Sequence, residues 1–104
     1  MPTALTLTPG HRPDGSAVLR AVGEIDMSNV DSLADAIDRQ PDSGAPLVVD
    51  LSAVEYLDSA GLTVLFTRAH RIHLVTNELL APLLVISGLT QLTTVHGLPD
   101  DIPL

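Results

Sequence analysis

The sequence predicts a single α/β domain. It should have a mixed β-sheet that begins as a hairpin, continues as alternating helices and strands, and carries its helices packed on it. Three observations predict this. The chain has 104 residues, enough for one compact domain and too few for two. Hydrophobic residues make up 45% of it, too many for a disordered acidic tail. Short extended apolar runs alternate with stretches of helical spacing, and that order implies helices laid on a sheet.

Thr3 to Thr8 alternates Thr with Ala or Leu and predicts a first strand. Pro9 to Ser16, with two Pro and two Gly, predicts a turn. Ala17 to Val22 is apolar apart from Arg20 and predicts the antiparallel return strand, closed by Gly23. Val30, Leu33, Ala34 and Ile37 fall at i, i+3, i+4 and i+7, one stripe of a helix. Ser28 is placed as its N-cap, with Asp31 three residues on, and Pro41 stops it after Gln40.

Pro46 to Leu51 is a short continuous apolar run that suits a central strand buried on both faces. Ser52 to Leu57 connects it to a second helix whose stripe is Leu62, Leu65, Phe66, Ala69, Ile72 and His73. Ser59 stands where its N-cap is needed, and Asn77 is a suitable helix stop. Leu83 to Ser87, after Pro82, reads as a strand. Gly88 to Val95 reads as a short last helix ended by Gly97, and Pro99 to Leu104 as an irregular tail.

Composition narrows the function. Aromatics are 2% of the chain, Phe66 and Tyr56, so the core must be aliphatic. There is no Cys, which excludes a disulfide scaffold, a thiol nucleophile and Cys-ligated metal sites. All five basic residues are arginines, so lysine Schiff bases and lysine phosphate clamps are excluded too. The N-terminus lacks a secretory pattern. Leu79 to Ser87, broken by Pro82, is far short of the roughly 20 residues of a membrane span. A cytoplasmic chain without a membrane span is the expectation.

The net charge of −8 argues against a phosphate-backbone binder, which needs clustered Lys and Arg. The excess is confined to Glu24 through Asp58, where nine acids face Arg39 alone. Most of these acids suit solvated helix and loop faces. An acidic face for a basic partner is the functional alternative, giving steering and specificity more than affinity.

Enzyme motifs are missing: there is no Gly-rich dinucleotide or phosphate loop and no His-Glu-x-x-His. His70 and His73 stand at a spacing that could bind a metal on one helix, but no third ligand is identifiable. No cofactor is implied. Asp26 and Asn29 bracket the start of the first helix, either as turn and cap residues or as polar partner contacts. Ser59 at a helix start needs no function by itself. Gly61 in the first turn is less ordinary, because glycine there costs up to about 1 kcal/mol against alanine. Its use implies close approach of another backbone or a partner surface.

Leu47-Val48-Val49-Asp50-Leu51, then Val54 and Leu57, lead into Asp58-Ser59-Ala60-Gly61-Leu62 and Leu65. Together with Gly23-Glu24-Ile25-Asp26 and Gly97-Leu98, this pattern resembles the STAS family, and within it the bacterial anti-sigma factor antagonists. The resemblance covers nearly the whole chain. It implies a STAS-like mixed sheet and a non-catalytic regulator. In the antagonists, the serine after the aspartate is phosphorylated by an anti-sigma factor that is also a serine kinase; by resemblance this is Ser59. The unphosphorylated form binds the anti-sigma factor and frees a sigma factor. Phosphorylation dissociates the pair, and a serine phosphatase restores it. The implied partner-binding residues are Asp26, Asn29, Asp58, Ser59, Ala60 and Gly61. Ala60 stands where many members have Ser or Thr. Two other readings remain open: an accessory scaffold of a transport complex, with Ser59 only a cap, and an enzyme.

Overall fold

In the computed structural model, which describes residues 4–98, β1 (Leu5–His11) and β2 (Ala17–Ile25) form the expected antiparallel hairpin. The register sets Leu5 opposite Gly23 and His11 opposite Ala17. The strand continues through Pro9 and Gly10, so the turn is shorter than predicted. Arg12 N–H bonds the Ser16 carbonyl at 2.9 Å and closes it. Proline is tolerated because β1 lies at the sheet edge, where one row of amides needs no partner strand.

The strands β3 (Leu47–Leu57), β4 (Ile72–Val75) and β5 (Val95–His96) follow in parallel, and the sheet order is β1-β2-β3-β4-β5. Each parallel step is bridged by a helix: α1 (Val30–Asp38), α2 (Ser59–Thr67) and α3 (Ala81–Ile86). Successive right-handed crossovers that advance in one direction stack their helices on one face of the sheet. The buried cluster agrees. Leu19 and Ile25 of β2, Val49, Leu51, Val54 and Leu57 of β3, and Leu74 of β4 meet Leu33 and Ile37 of α1, Leu65 of α2 and Leu84 of α3. No aromatic ring belongs to the buried cluster, as the composition requires; Phe66 packs partly buried against it. The other face presents exposed Thr6, Thr8, Arg20 and Val22.

β3 is longer than the apolar run suggested, because Ser52 to Leu57 is strand and not connection. Arg20 pairs with Asp50 but Val22 with Ala53, and Gly23 pairs with Val54 but Glu24 with Tyr56. Each shift adds one residue to β3, as in a β-bulge, and blurs the two-residue period. Gly23 has φ +117°, and a Cβ there would stand 2.3 Å from the Ala4 carbonyl oxygen, so only glycine lets the strands approach this closely.

The C-terminal half departs from expectation in three places. The second helix stops at Thr67, not near Asn77. A 3-10 turn (Ala69–Arg71) follows, and Ile72 to Val75 is strand β4. Four residues alternating buried and half-buried against β3 fit a strand as well as a helical stripe. Second, Leu83 to Ser87 is not a strand: Leu83 to Ile86 belong to α3 and Ser87 is its C-cap, with Pro82 in the first helical turn, where its missing N–H costs nothing. Third, the predicted last helix is a 3-10 turn (Leu89–Gln91) followed by β5. The tail from Pro99 to Leu104 lies outside the described residues.

Asn77 is no simple helix stop. β4 ends opposite Asp50, so beyond that point the side of β3 turned away from β2 has no strand partner. The Asn77 amide nitrogen donates to the carbonyls of Val54 at 2.8 Å and Ser52 at 3.1 Å, with Leu51 at 3.4 Å. Its oxygen accepts from Leu80 N–H at 2.9 Å. One side chain thus closes the bulged edge of β3 and starts the turn into α3.

Candidate functional site

β3 delivers the chain to the carboxyl end of the parallel strands, and α2 begins there. Asp58, not Ser59, is the N-cap: its backbone is extended and its Oδ1 accepts from Gly61 N–H at 3.0 Å. Ser59 is one residue further in, the first residue of α2, and is exposed. Its carbonyl accepts from the Thr63 hydroxyl at 2.9 Å. Its own hydroxyl makes no hydrogen bond among the described residues. Gly61 N–H is taken by the Asp58 carboxylate and Leu62 N–H by the Asp58 carbonyl, which leaves the Ser59 and Ala60 amides at the helix start without an intrahelical acceptor.

Gly61 is buried, and the crowding that requires it is internal. A Cβ there would lie 2.4 Å from Leu57 Cδ1 and 2.8 Å from Ile25 Cγ2. The close approach expected from sequence is therefore made by core side chains, not by another backbone. Packing of the helix start onto the ends of β2 and β3 sets Ser59 in place. Ala60 beside it is half-buried.

The loop between β2 and α1 joins the same rim. Asp58 N–H donates to the Ile25 carbonyl, and Met27 N–H donates to Asp58 Oδ2, both at 3.2 Å. Asp26 and Asn29 stiffen this loop from within. Asp26 Oδ1 accepts from Ser28 N–H at 2.9 Å and from the Ser28 hydroxyl at 2.6 Å. Asn29 Oδ1 accepts from Asp26 N–H at 3.1 Å, while its amide donates to the Glu24 carbonyl at 2.8 Å. The N-cap of α1 is Asn29 rather than Ser28, whose hydroxyl is turned to Asp26. Asp26, Asn29, Asp58, Ser59, Ala60 and Gly61 are thus brought into one neighbourhood, with the turn chemistry of the first two in plain view.

Sequence reasoning passed over Met27. It lies between two site residues in a polar loop and is 80% exposed. The available signal was a large apolar residue at a position that turn chemistry would fill with a polar one.

His70 and His73 do not share a helix. His70 is in the 3-10 turn and His73 in β4, both lining a cleft of about 570 Å³ at the amino end of β3 and β4. Ser59 is at the opposite end of β3. His73 faces His96 with ring centroids 6.4 Å apart. Among the described residues there is no group of three or more His, Asp or Glu that could hold a metal ion, and no helix long and apolar enough to cross a membrane.

A mixed five-stranded sheet with helices packed on one face is the architecture of a known class, and the chain belongs to it: residues 8–80 match the STAS domain family. Over 72 residues the chain is 40% identical to the anti-sigma-F factor antagonist RsfB of Mycobacterium tuberculosis. That stretch is 68% of this chain and 58% of RsfB, less than two thirds of the relative's length. The crystal structure of an anti-sigma factor antagonist from Mycobacterium paratuberculosis superposes with a TM-score of 0.77 at 29% identity, covering 94% of this chain and 90% of that one. An uncharacterized protein from Shewanella loihica with a SpoIIAA-like fold shares the architecture at a TM-score of 0.56 and 11% identity, covering 95% of this chain and 89% of the other.

Proposed function

We propose that this chain is an anti-sigma factor antagonist switched at Ser59. In its unphosphorylated form it binds a serine-kinase-type anti-sigma factor in the cytoplasm and frees a sigma factor. Phosphorylation of Ser59 releases the partner, and a serine phosphatase resets the cycle. The chain acts by binding and catalyses nothing itself. The similarity to two mycobacterial antagonists supports the reading. The observation that carries it is the exposed Ser59 hydroxyl at the first position of α2, on a rim rigidly joined to the β2–α1 loop.

The physics of that position suits a switch. A phosphate adds about −1.5 to −2 charge at pH 7. The helix start accommodates it, because the Ser59 and Ala60 amides and the helix dipole favour an anion. The fold survives, and the cost falls on the interface, where bulk and charge arrive beside Asp58. A coupling of about 3 kcal/mol lowers partner affinity roughly a hundredfold.

Co-purification with the serine-kinase-type anti-sigma factors of the source genome, with and without ATP, tests it. Wild type should bind without ATP and dissociate with it, as mass spectrometry finds phosphate on Ser59. Ser59→Ala should stay bound in both conditions. Absence of binding to any of these proteins, or release by ATP with Ser59 unmodified, refutes the proposal. Recovery of membrane transporter subunits instead would favour an accessory scaffold.

A further inference from the structure

We infer that Met27 is the apolar anchor by which the anti-sigma factor grips this rim, seated in an apolar pocket of the partner that basic side chains surround. The inference rests on the antagonist reading and names the contact that reading leaves unspecified. Met27 is 80% exposed and lies outside the buried cluster, so its side chain contributes little to folding. A solvent-facing loop position between Asp26 and Ser28 has no use of its own for an apolar side chain of this size.

The loop that carries Met27 is pinned. Its N–H is held by Asp58 Oδ2 at 3.2 Å. On one side the Asp26 carboxylate binds both the amide and the hydroxyl of Ser28. On the other the Asn29 side chain bridges Asp26 N–H and the Glu24 carbonyl. An apolar side chain presented by a preorganised backbone loses little entropy on docking, and that economy makes a good anchor. Methionine's flexible, polarizable side chain suits an imperfect pocket.

The neighbourhood specifies the partner's chemistry. Glu24, Asp26, Asp31 and Asp58 lie on or beside the same loop and helix start, and Arg39 is the sole basic residue between Glu24 and Asp58. A complementary surface is therefore basic at its edge, and that charge steers the encounter while the buried methionine slows dissociation. Because the Asp58 carboxylate joins Met27 N–H to Gly61 N–H, in the first turn of the helix that Ser59 begins, phosphate on Ser59 lands at the margin of the same pocket.

The chain has two methionines, Met1 and Met27, so methyl-¹³C-methionine labelling gives a two-signal spectrum. Adding the anti-sigma factor that co-purifies with the wild type should shift or broaden the Met27 ε-methyl signal. Met27→Asp should weaken binding about 30-fold or more, while Met27→Leu stays within about threefold of wild type. Both variants should melt like the wild type, since the side chain is outside the core. A Met27 methyl unperturbed in the complex, or Met27→Asp binding as wild type does, overturns the anchor and leaves the antagonist reading standing. If no serine-kinase-type anti-sigma factor of the source genome binds the wild type, both fall together.

Discussion

Asp58 Oδ1 accepts a hydrogen bond from Gly61 N–H at 3.0 Å, at a glycine with no room for a Cβ. Cap and glycine solve one problem together. The helix that carries Ser59 must start close against Ile25 and Leu57, both buried. Gly61 permits the approach, and Asp58 satisfies the amide that the approach leaves at the helix start.

Gly61→Ala should therefore destabilise the fold. Alanine gains about 1 kcal/mol in helix propensity. The methyl group, at 2.4 Å from Leu57 Cδ1 and 2.8 Å from Ile25 Cγ2, costs more, because overpacking a fixed core costs about 1–3 kcal/mol. A net loss of up to about 2 kcal/mol is expected in urea unfolding, with the denaturant slope unchanged. A more stable variant would show that Leu57 moves aside freely.

The order of elements in the N-terminal half was legible, though not every boundary, because its signals do not compete. The stripe Val30, Leu33, Ala34, Ile37 has one period, and the run Leu47 to Leu51 begins directly after a proline and is apolar except for Asp50. The start of α2 was legible to within one residue, since Asp58 and Ser59 are both good caps and only the observed Asp58–Gly61 bond chooses between them. The C-terminal half was not legible in the same way. β4 has four residues and α3 six, each too short for a period to declare itself. Val85 and Ile86 favour strands locally, but docking of Leu84 into the core settles the segment as helix. Met27 was passed over for another reason: a single residue makes no periodic pattern, and only its apolar side chain in a polar loop marks it.

Asn77→Ala should cost about 1–3 kcal/mol, far more than an ordinary half-exposed asparagine. It removes the donor to the Val54 and Ser52 carbonyls and the acceptor for Leu80 N–H. Hydrogen exchange should accelerate at the Leu80 amide more than at the central β3 amides. Equal acceleration everywhere would mean that the loss is global and that Asn77 is no local clasp.

Arg68 clamps Asp38 and so ties α2 to α1. Arg68 Nε bonds Asp38 Oδ1 and Nη2 bonds Oδ2, each at 2.9 Å. The hydrogen bonds from Arg68 hold the Asp38 carboxyl below the ordinary aspartate range, and the same contact raises the guanidinium. A carboxylate with a depressed folded-state pKa stabilises the fold above its unfolded value, about 3.9, and loses that contribution as pH falls through the folded value. Asp38→Asn should therefore lower the urea midpoint slightly at about pH 7. It should also shrink the further drop on acidification to about pH 3. An equal acid response in both proteins would assign the drop to other carboxylates.

Ser59→Asp should separate the proposed switch from the fold. A negative side chain in the first turn of a helix is stabilising by about 0.3–1 kcal/mol at an exposed site. Asp58 next to it repels by a comparable amount, while its own bond to Gly61 N–H stays available because the new side chain points to solvent with Ser59. The two effects offset, so the unfolding free energy from urea titration should match wild type within about 0.5 kcal/mol. Partner binding should nevertheless fall. If Ser59→Asp unfolds at markedly lower urea, weakened binding by this variant reports damage to the helix start and not the charge that the proposed phosphorylation would bring.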